Sequence, residues 1–142
     1  MDEVVAMLFS EAEIRTQASG TYLFHARDMV MFVHYVEAGK LSLERVHASG
    51  QITCLQRAQA GDIVAEASVY AQEYHCDARV LEDVRLRRLK KTDLKSQLRI
   101  DPNLADAWAT HLARTVQRTR LIAEIRSLKK VGDRLDAWLG DF

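Results

Sequence analysis

The residues best equipped for chemistry crowd into one stretch, EASVYAQEYHCDARV, from Glu66 to Val80. An acid opens it, and Tyr74, His75, Cys76, Asp77 and Arg79 stand almost side by side near its end. Such residue types could build an anion pocket, a metal centre or a redox thiol. Strand alternation sets Tyr74, Cys76, Ala78 and Val80 on one face and His75, Asp77 and Arg79 on the other. His75 and Cys76 then point apart and cannot share an ion without a bulge. A zinc site would have to recruit His25, His34 or Cys54 from other strands, and no C-x2-C pair supports one. As a redox sensor, Cys76 would lack the neighbouring base that His75 could have provided. The chain also offers no nucleophile–base pair, no glycine-rich phosphate loop and no paired carboxylates, so catalysis is not expected.

A scaffold must hold this stretch, and the pattern changes sharply at the single proline, Pro102. Upstream lie runs rich in β-branched, aromatic and leucine residues: TYLFHA, MFVHYVEAGKLSLERV, ITCLQRA and DARVLEDVRLRRL. Gly20, Gly39, Gly50 and Gly61 punctuate them as turns would, which predicts antiparallel hairpins in a small barrel or sandwich. Leu41 and Leu43 alternate with Lys40, Ser42 and Glu44, the mark of a half-buried strand. At the front, DEVVAMLF reads as a short helix, and Ser10 and Glu13 have capping-box spacing for another turn.

Downstream the period becomes helical. Asp101 suits an N-cap and Pro102 the first helical position, where a missing N–H is harmless. No Gly or Pro interrupts Asn103 to Lys130, and apolar residues recur at Leu104, Trp108, Leu112, Val116, Leu121, Ile125 and Leu128. A helix this long outruns the domain before it, so its apolar stripe needs a partner, most simply a parallel second copy. Gly132 permits a break, after which DRLDAWLGDF forms a short amphipathic piece with Leu135, Trp138 and Leu139 on one face. The order of helix, strands, short helix and long helix is α+β with segregated elements.

Composition fits this picture. The 142 residues are 48% hydrophobic and 28% charged, enough for one domain with a real core. No apolar run is long enough to span a membrane, and the acidic start lacks the basic front of an export signal, so a cytoplasmic location is expected. Two cysteines in such a reducing compartment read as small buried apolar residues. The zero net charge hides an uneven spread: residues 1–83 hold 6 Lys/Arg against 13 Asp/Glu, while residues 84–102 hold 7 against 2. The basic segment VRLRRLKKTDLKSQLR has no interleaved aromatics, and it reads as a solvated strand edge and helix face rather than a nucleic-acid surface.

Five segments, in order, carry a resemblance: GTYLFHARD, VHYVEAGKLSLERV, AGDIVAEASVY, RIDPNLADAWATHLARTVQRTR and DRLDAWL. With them the chain resembles, from about Gly20 to Leu139, the sensor half of the Crp/Fnr transcription regulators of the cyclic-nucleotide-binding superfamily. The resemblance implies an antiparallel β-barrel or jelly roll with short N-terminal helices over 1–100. A long dimerisation helix follows over 101–131, and 132–142 begins the hinge to a DNA-binding domain. That helix-turn-helix domain is absent from this chain, so DNA is expected to be met only through it, whether the chain is an excised sensor or a naturally short protein. The alternative is a stand-alone module that binds a small molecule or a protein and has no DNA role.

In nucleotide-binding members of that family, a Gly-Glu pair and the backbone N–H groups after it cradle the phosphate. The Glu bonds the ribose, and an Arg-Ser pair caps the phosphate. Carried over by position, the pair becomes Ala65 and Glu66, the N–H groups belong to Ala67 and Ser68, and Arg-Ser falls at Tyr74 and His75. The acid is retained and the cation is lost, while Arg79 stands five residues beyond the Arg position. Thr119 and Arg120 fall where the long helix supplies base contacts. The resemblance thus implies a sensor with an unidentified small-molecule effector that does not take cyclic AMP in the usual way. The cofactor stays open: cyclic nucleotide is disfavoured, and a haem would draw on His34 or His75 by residue type alone.

Overall fold

The computed structural model describes residues 3–140, apart from the side chains of Arg134, Ala137, Trp138 and Gly140. It divides into two units, 1–108 and 109–142, taken in turn.

The first unit opens with helix α1 (Glu3–Met7), then strands β1 (Glu13–Gln17), β2 (Tyr22–Phe24), β3 (Phe32–Val46), β4 (Ile52–Gln59) and β5 (Ile63–Val64). A 3-10 turn, Glu66–Tyr70, leads to strand β6 (Asp77–Lys90), helix α2 (Lys91–Ile100) and the start of helix α3 (Pro102–Gly140). The strands form one antiparallel sheet in the order β1-β6-β3-β4, with β2 added on β6 and β5 on β3. This is the antiparallel jelly-roll-like architecture the sequence predicts. Its interior is a single cluster that includes Phe24, Val36, Leu41, Tyr74, Val80 and Leu86. Phe9 stacks on Tyr35 at 5.7 Å, and Val5, Leu94, Leu104 and Trp108 are buried on the helices. Full burial of each such apolar side chain stabilises by about 1.5–3 kcal/mol.

Three expectations fail for physical reasons. Gly39 is no turn: β3 runs unbroken through it, with its pairing to β6 shifted on both sides. Its φ of +89° and the nearness of β6 mark a bulge, which bends the long strand so that the sheet can roll. Ser10 and Glu13 form no capping box. The Ser10 hydroxyl donates to the Met7 carbonyl at 2.8 Å, and Glu13 opens β1, paired opposite Arg88. Nor is the polar row of β3 left to solvent. Ser42 and Glu44 are buried beside Leu41 and Leu43, and Arg79 donates to both Glu44 oxygens at 2.9 Å. The desolvated carboxylate is tolerable because a guanidinium fork matches it.

The second unit is the rest of α3. Asp101 caps the helix as expected, its Oδ1 accepting from the N–H groups of Asn103 and Leu104 at 3.1 Å. The expected break at Gly132 does not occur, and α3 continues without interruption to Gly140. One mid-helix glycine costs about 1 kcal/mol relative to alanine, too little to end a helix with good formers on both sides. The expected apolar face of Leu135, Trp138 and Leu139 is described only in part. Leu135 and Leu139 are exposed, whereas the Trp138 side chain and residues 141–142 of the expected hinge lie outside the described residues.

Candidate functional site

Ala65 sits in the left-handed region at φ 57°, ψ 40°, where the chain turns from β5 into the 3-10 turn. Glycine adopts that conformation freely and alanine at a cost of about 1 kcal/mol. The backbone thus keeps the glycine-type bend without the glycine. Past the bend, the Ser68 N–H donates to the Ala65 carbonyl and the Ala71 N–H to the Ser68 carbonyl, both at 2.9 Å. Glu66 is buried. Ala65, Glu66, Ala67 and Ser68 therefore lie together in one tight loop.

Tyr74 and His75 stand on opposite faces, as alternation predicts. Tyr74 is a core residue: its ring stacks on Phe24 at 3.6 Å with a 4° interplanar angle. Its hydroxyl donates to the Phe32 carbonyl at 3.1 Å, and its own N–H and carbonyl bond Asp28 and Arg27. Burial pushes the phenol up to about 12, with the Asp28 carboxylate adding to the effect. His75 is exposed, and its carbonyl accepts from Arg45 Nη2 at 3.3 Å. The alternation read from sequence holds through Val80: Ala78 and Val80 are fully buried, and Cys76 packs against the core. Asp77 accepts from the Ala26 N–H at 2.7 Å. Arg79 is paired with Glu44 at 2.9 Å.

Burial pushes the Cys76 thiol up, which keeps it protonated and a poor nucleophile. Among the described residues, no three His, Cys, Asp or Glu side chains gather as a metal site would require. On α3, the Thr119 hydroxyl donates to the Thr115 carbonyl at 2.9 Å, and Arg120 is exposed.

Sequence reasoning did not find a second concavity. A cleft of about 450 Å³ opens between β1 and the Met29–Phe32 segment. Arg15, Arg88 and His34 line it together with Met29, Met31 and Phe32. Nothing local announces the grouping, because the residues come from three strands and a loop.

Residues 14–101 match the cyclic nucleotide-binding domain family. The chain belongs to that family. Among solved structures, this cyclic nucleotide-binding domain is similar to the N-terminal domain of a transcriptional regulator from Streptomyces coelicolor A3(2). The identity is 27% and the TM-score 0.66, with 84% of each chain covered. It is also similar to the catabolite activator protein of Thermus thermophilus, at 27% identity and a TM-score of 0.71. That match covers 89% of this chain and 60% of the Thermus protein, so the chain spans about three fifths of that relative's length. The sensor domain of the regulator DNR from Pseudomonas aeruginosa shares the fold at 19% identity and a TM-score of 0.69, covering 82% of this chain and 79% of that one. No curated protein matches the chain. The resemblance to Crp/Fnr sensor halves thus stands for family and fold. Among the described residues, no helix is long and apolar enough to cross a membrane.

Proposed function

We propose that this cyclic nucleotide-binding domain is the ligand-sensing regulatory part of a Crp/Fnr-like transcription regulator, and that its cassette does not hold a cyclic nucleotide conventionally. One observation carries this reading. No Lys or Arg occurs from Glu66 to Ala78, and Arg79, the first cation beyond, is tied to Glu44. A buried phosphate needs a cation and several donors, and backbone N–H groups with an acid beside them leave its desolvation uncompensated. Titration calorimetry with cyclic AMP and cyclic GMP is expected to give no saturable isotherm in the micromolar range. Saturable micromolar binding of either nucleotide overturns the reading.

The same reading makes the chain a cytoplasmic homodimer through α3, non-enzymatic, meeting DNA only through a domain outside this chain. Leu121, Ile125, Leu128, Leu135 and Leu139 are exposed, and with Gly132 they follow alternating steps of four and three. That is the seam spacing of a two-stranded coiled coil. Native mass spectrometry is expected to report a dimer for the unaltered chain and a monomer for Leu128→Asp, which places two carboxylates in the seam. A monomer at micromolar concentration without the substitution removes the dimer from the proposal.

A further inference from the structure

The cleft between β1 and the Met29–Phe32 segment takes only Tyr74 from the cassette residues of the first unit, and Ala65, Glu66, Ala67, Ser68 and His75 do not line it. It is a different place from the Ala65–Ser68 loop. Three features of it have no structural explanation of their own. The antiparallel register sets His34 on β3 opposite Arg88 on β6, so both side chains rise from one face of the sheet. His34 is only 6% exposed, yet its Nδ1 is buried with no hydrogen-bond partner among the described residues. Met29 and Met31 are 71% and 55% exposed on the cleft wall, an unusual surface position for flexible apolar side chains.

The polar end is arranged for a carboxylate. The Arg88 guanidinium carbon lies over the Phe32 ring, 4.0 Å from its centroid, which helps hold the side chain in place. Its side-chain hydrogen bond uses Nε, to Glu13 Oε2 at 2.7 Å, and among the described residues the Nη groups stay available to a ligand. Arg15 Nη2 approaches the other Glu13 oxygen at 2.9 Å. A carboxylate already bridges the two guanidiniums from the exposed side, and Arg88, with Arg15 assisting, holds it below the usual carboxylate range. Burial holds His34 at about 4, so its ring is neutral near pH 7 and carries one N–H. A half-turn about χ2 can present that N–H to the cleft.

We infer that this cleft binds a small aliphatic monocarboxylate. The head group is held by Arg88 and the His34 N–H, and the chain lies along Met29, Met31 and Phe32. A single negative charge is favoured because Glu13 and the lining Asp28 already offset the two arginines. A dianion would be left under-compensated. Thioether walls that repack suit a flexible chain better than a rigid ring.

The test is calorimetry of the full chain with butanoate, hexanoate and octanoate, with 1-octanol as the uncharged control. Affinity is expected to rise about fourfold or more per two methylenes, half the value for full burial, and octanol is expected to bind much more weakly. Arg88→Met, which keeps an apolar stem over Phe32, should weaken octanoate about tenfold or more, and His34→Phe should weaken it too. Glu13→Gln, at an exposed position, should tighten it about threefold by freeing both guanidiniums. Misfolding cannot produce that gain, so the pair of opposite effects separates binding from stability. The inference is overturned if no member of the series saturates at low millimolar concentration. It is equally overturned if octanol matches octanoate, or if the Arg88 and Glu13 substitutions leave the affinity unchanged.

Discussion

Acidification from pH 7 to pH 4.5 is expected to remove about 2–3 kcal/mol of folding stability through His34 alone. The folded protein holds the imidazole at about 4 against an ordinary 6.5, first because burial penalises the charged form and then because Arg88 lies beside it. In the unfolded chain the ring takes a proton as pH drops through 6.5, whereas in the fold it resists until about 4. Between those values the unfolded state binds more protons, so stability falls with pH at up to about 1.4 kcal/mol per unit. Above pH 7 both states are neutral and His34 contributes no slope. Glu13 and Glu44, whose folded values are lowered, contribute in the same direction only at more acid pH, when their carboxylates begin to take protons. Urea melts of the parent and His34→Phe at pH 7, 6, 5 and 4.5 isolate the histidine. The difference between the two should grow steadily on acidification. Parallel pH profiles would show that His34 is not held neutral by the fold.

Gly39→Val is expected to cost about 3 kcal/mol or more, the sum of backbone strain and a forced shift of β6. A Cβ at Gly39 would overlap the Asp83 carbonyl oxygen and come within 2.8 Å of Val84 Cα and Cγ1. Neither obstacle is the free end of a flexible chain, so relief requires β3 and β6 to part at the bulge. The φ of +89° adds a penalty that a β-branched residue meets in full. Gly50→Ala is the matched control. Its φ of +84° is comparable, but nothing lies within 4 Å of the new Cβ, so only strain of about 1 kcal/mol is expected. Equal shifts of the urea midpoint in the two variants would mean that the close approach to β6 contributes nothing.

Much of this fold can be read locally because its signals are local. Asp101 and Pro102 announce the start of α3, since capping depends on the residues within one turn. The runs that became β4 and β6 carry their own β-branched and leucine content. Glu66 and the cation-free stretch that runs from it to Ala78 are likewise matters of residue identity. The resemblance to the family rests on the same ordered segments, and the match over 14–101 bears it out.

Where the sequence misled, the deciding partner was far away along the chain. EIRTQ has no apolar alternation, and it is a strand because β6 lends it a ladder and Arg88 a counter-ion for Glu13. Gly39 resembles a turn until β6 is seen packed against its missing side chain. Ser42 and Glu44 look solvent-facing until Arg79, 35 residues beyond Glu44, supplies the fork that lets the carboxylate be buried. The stacking of the Tyr74 ring on Phe24, 50 residues earlier, is likewise not visible locally. By itself the sequence determined the family, the order of elements and the absence of Lys and Arg from Glu66 to Ala78, because each is written in adjacent residues. Only the tertiary structure decided which polar groups are buried, where β3 bends, and that His34 meets Arg88 beside an apolar wall. Those depend on register between β3 and β6, far apart along the chain, where shifting the pairing by one position would turn every side chain to the opposite face.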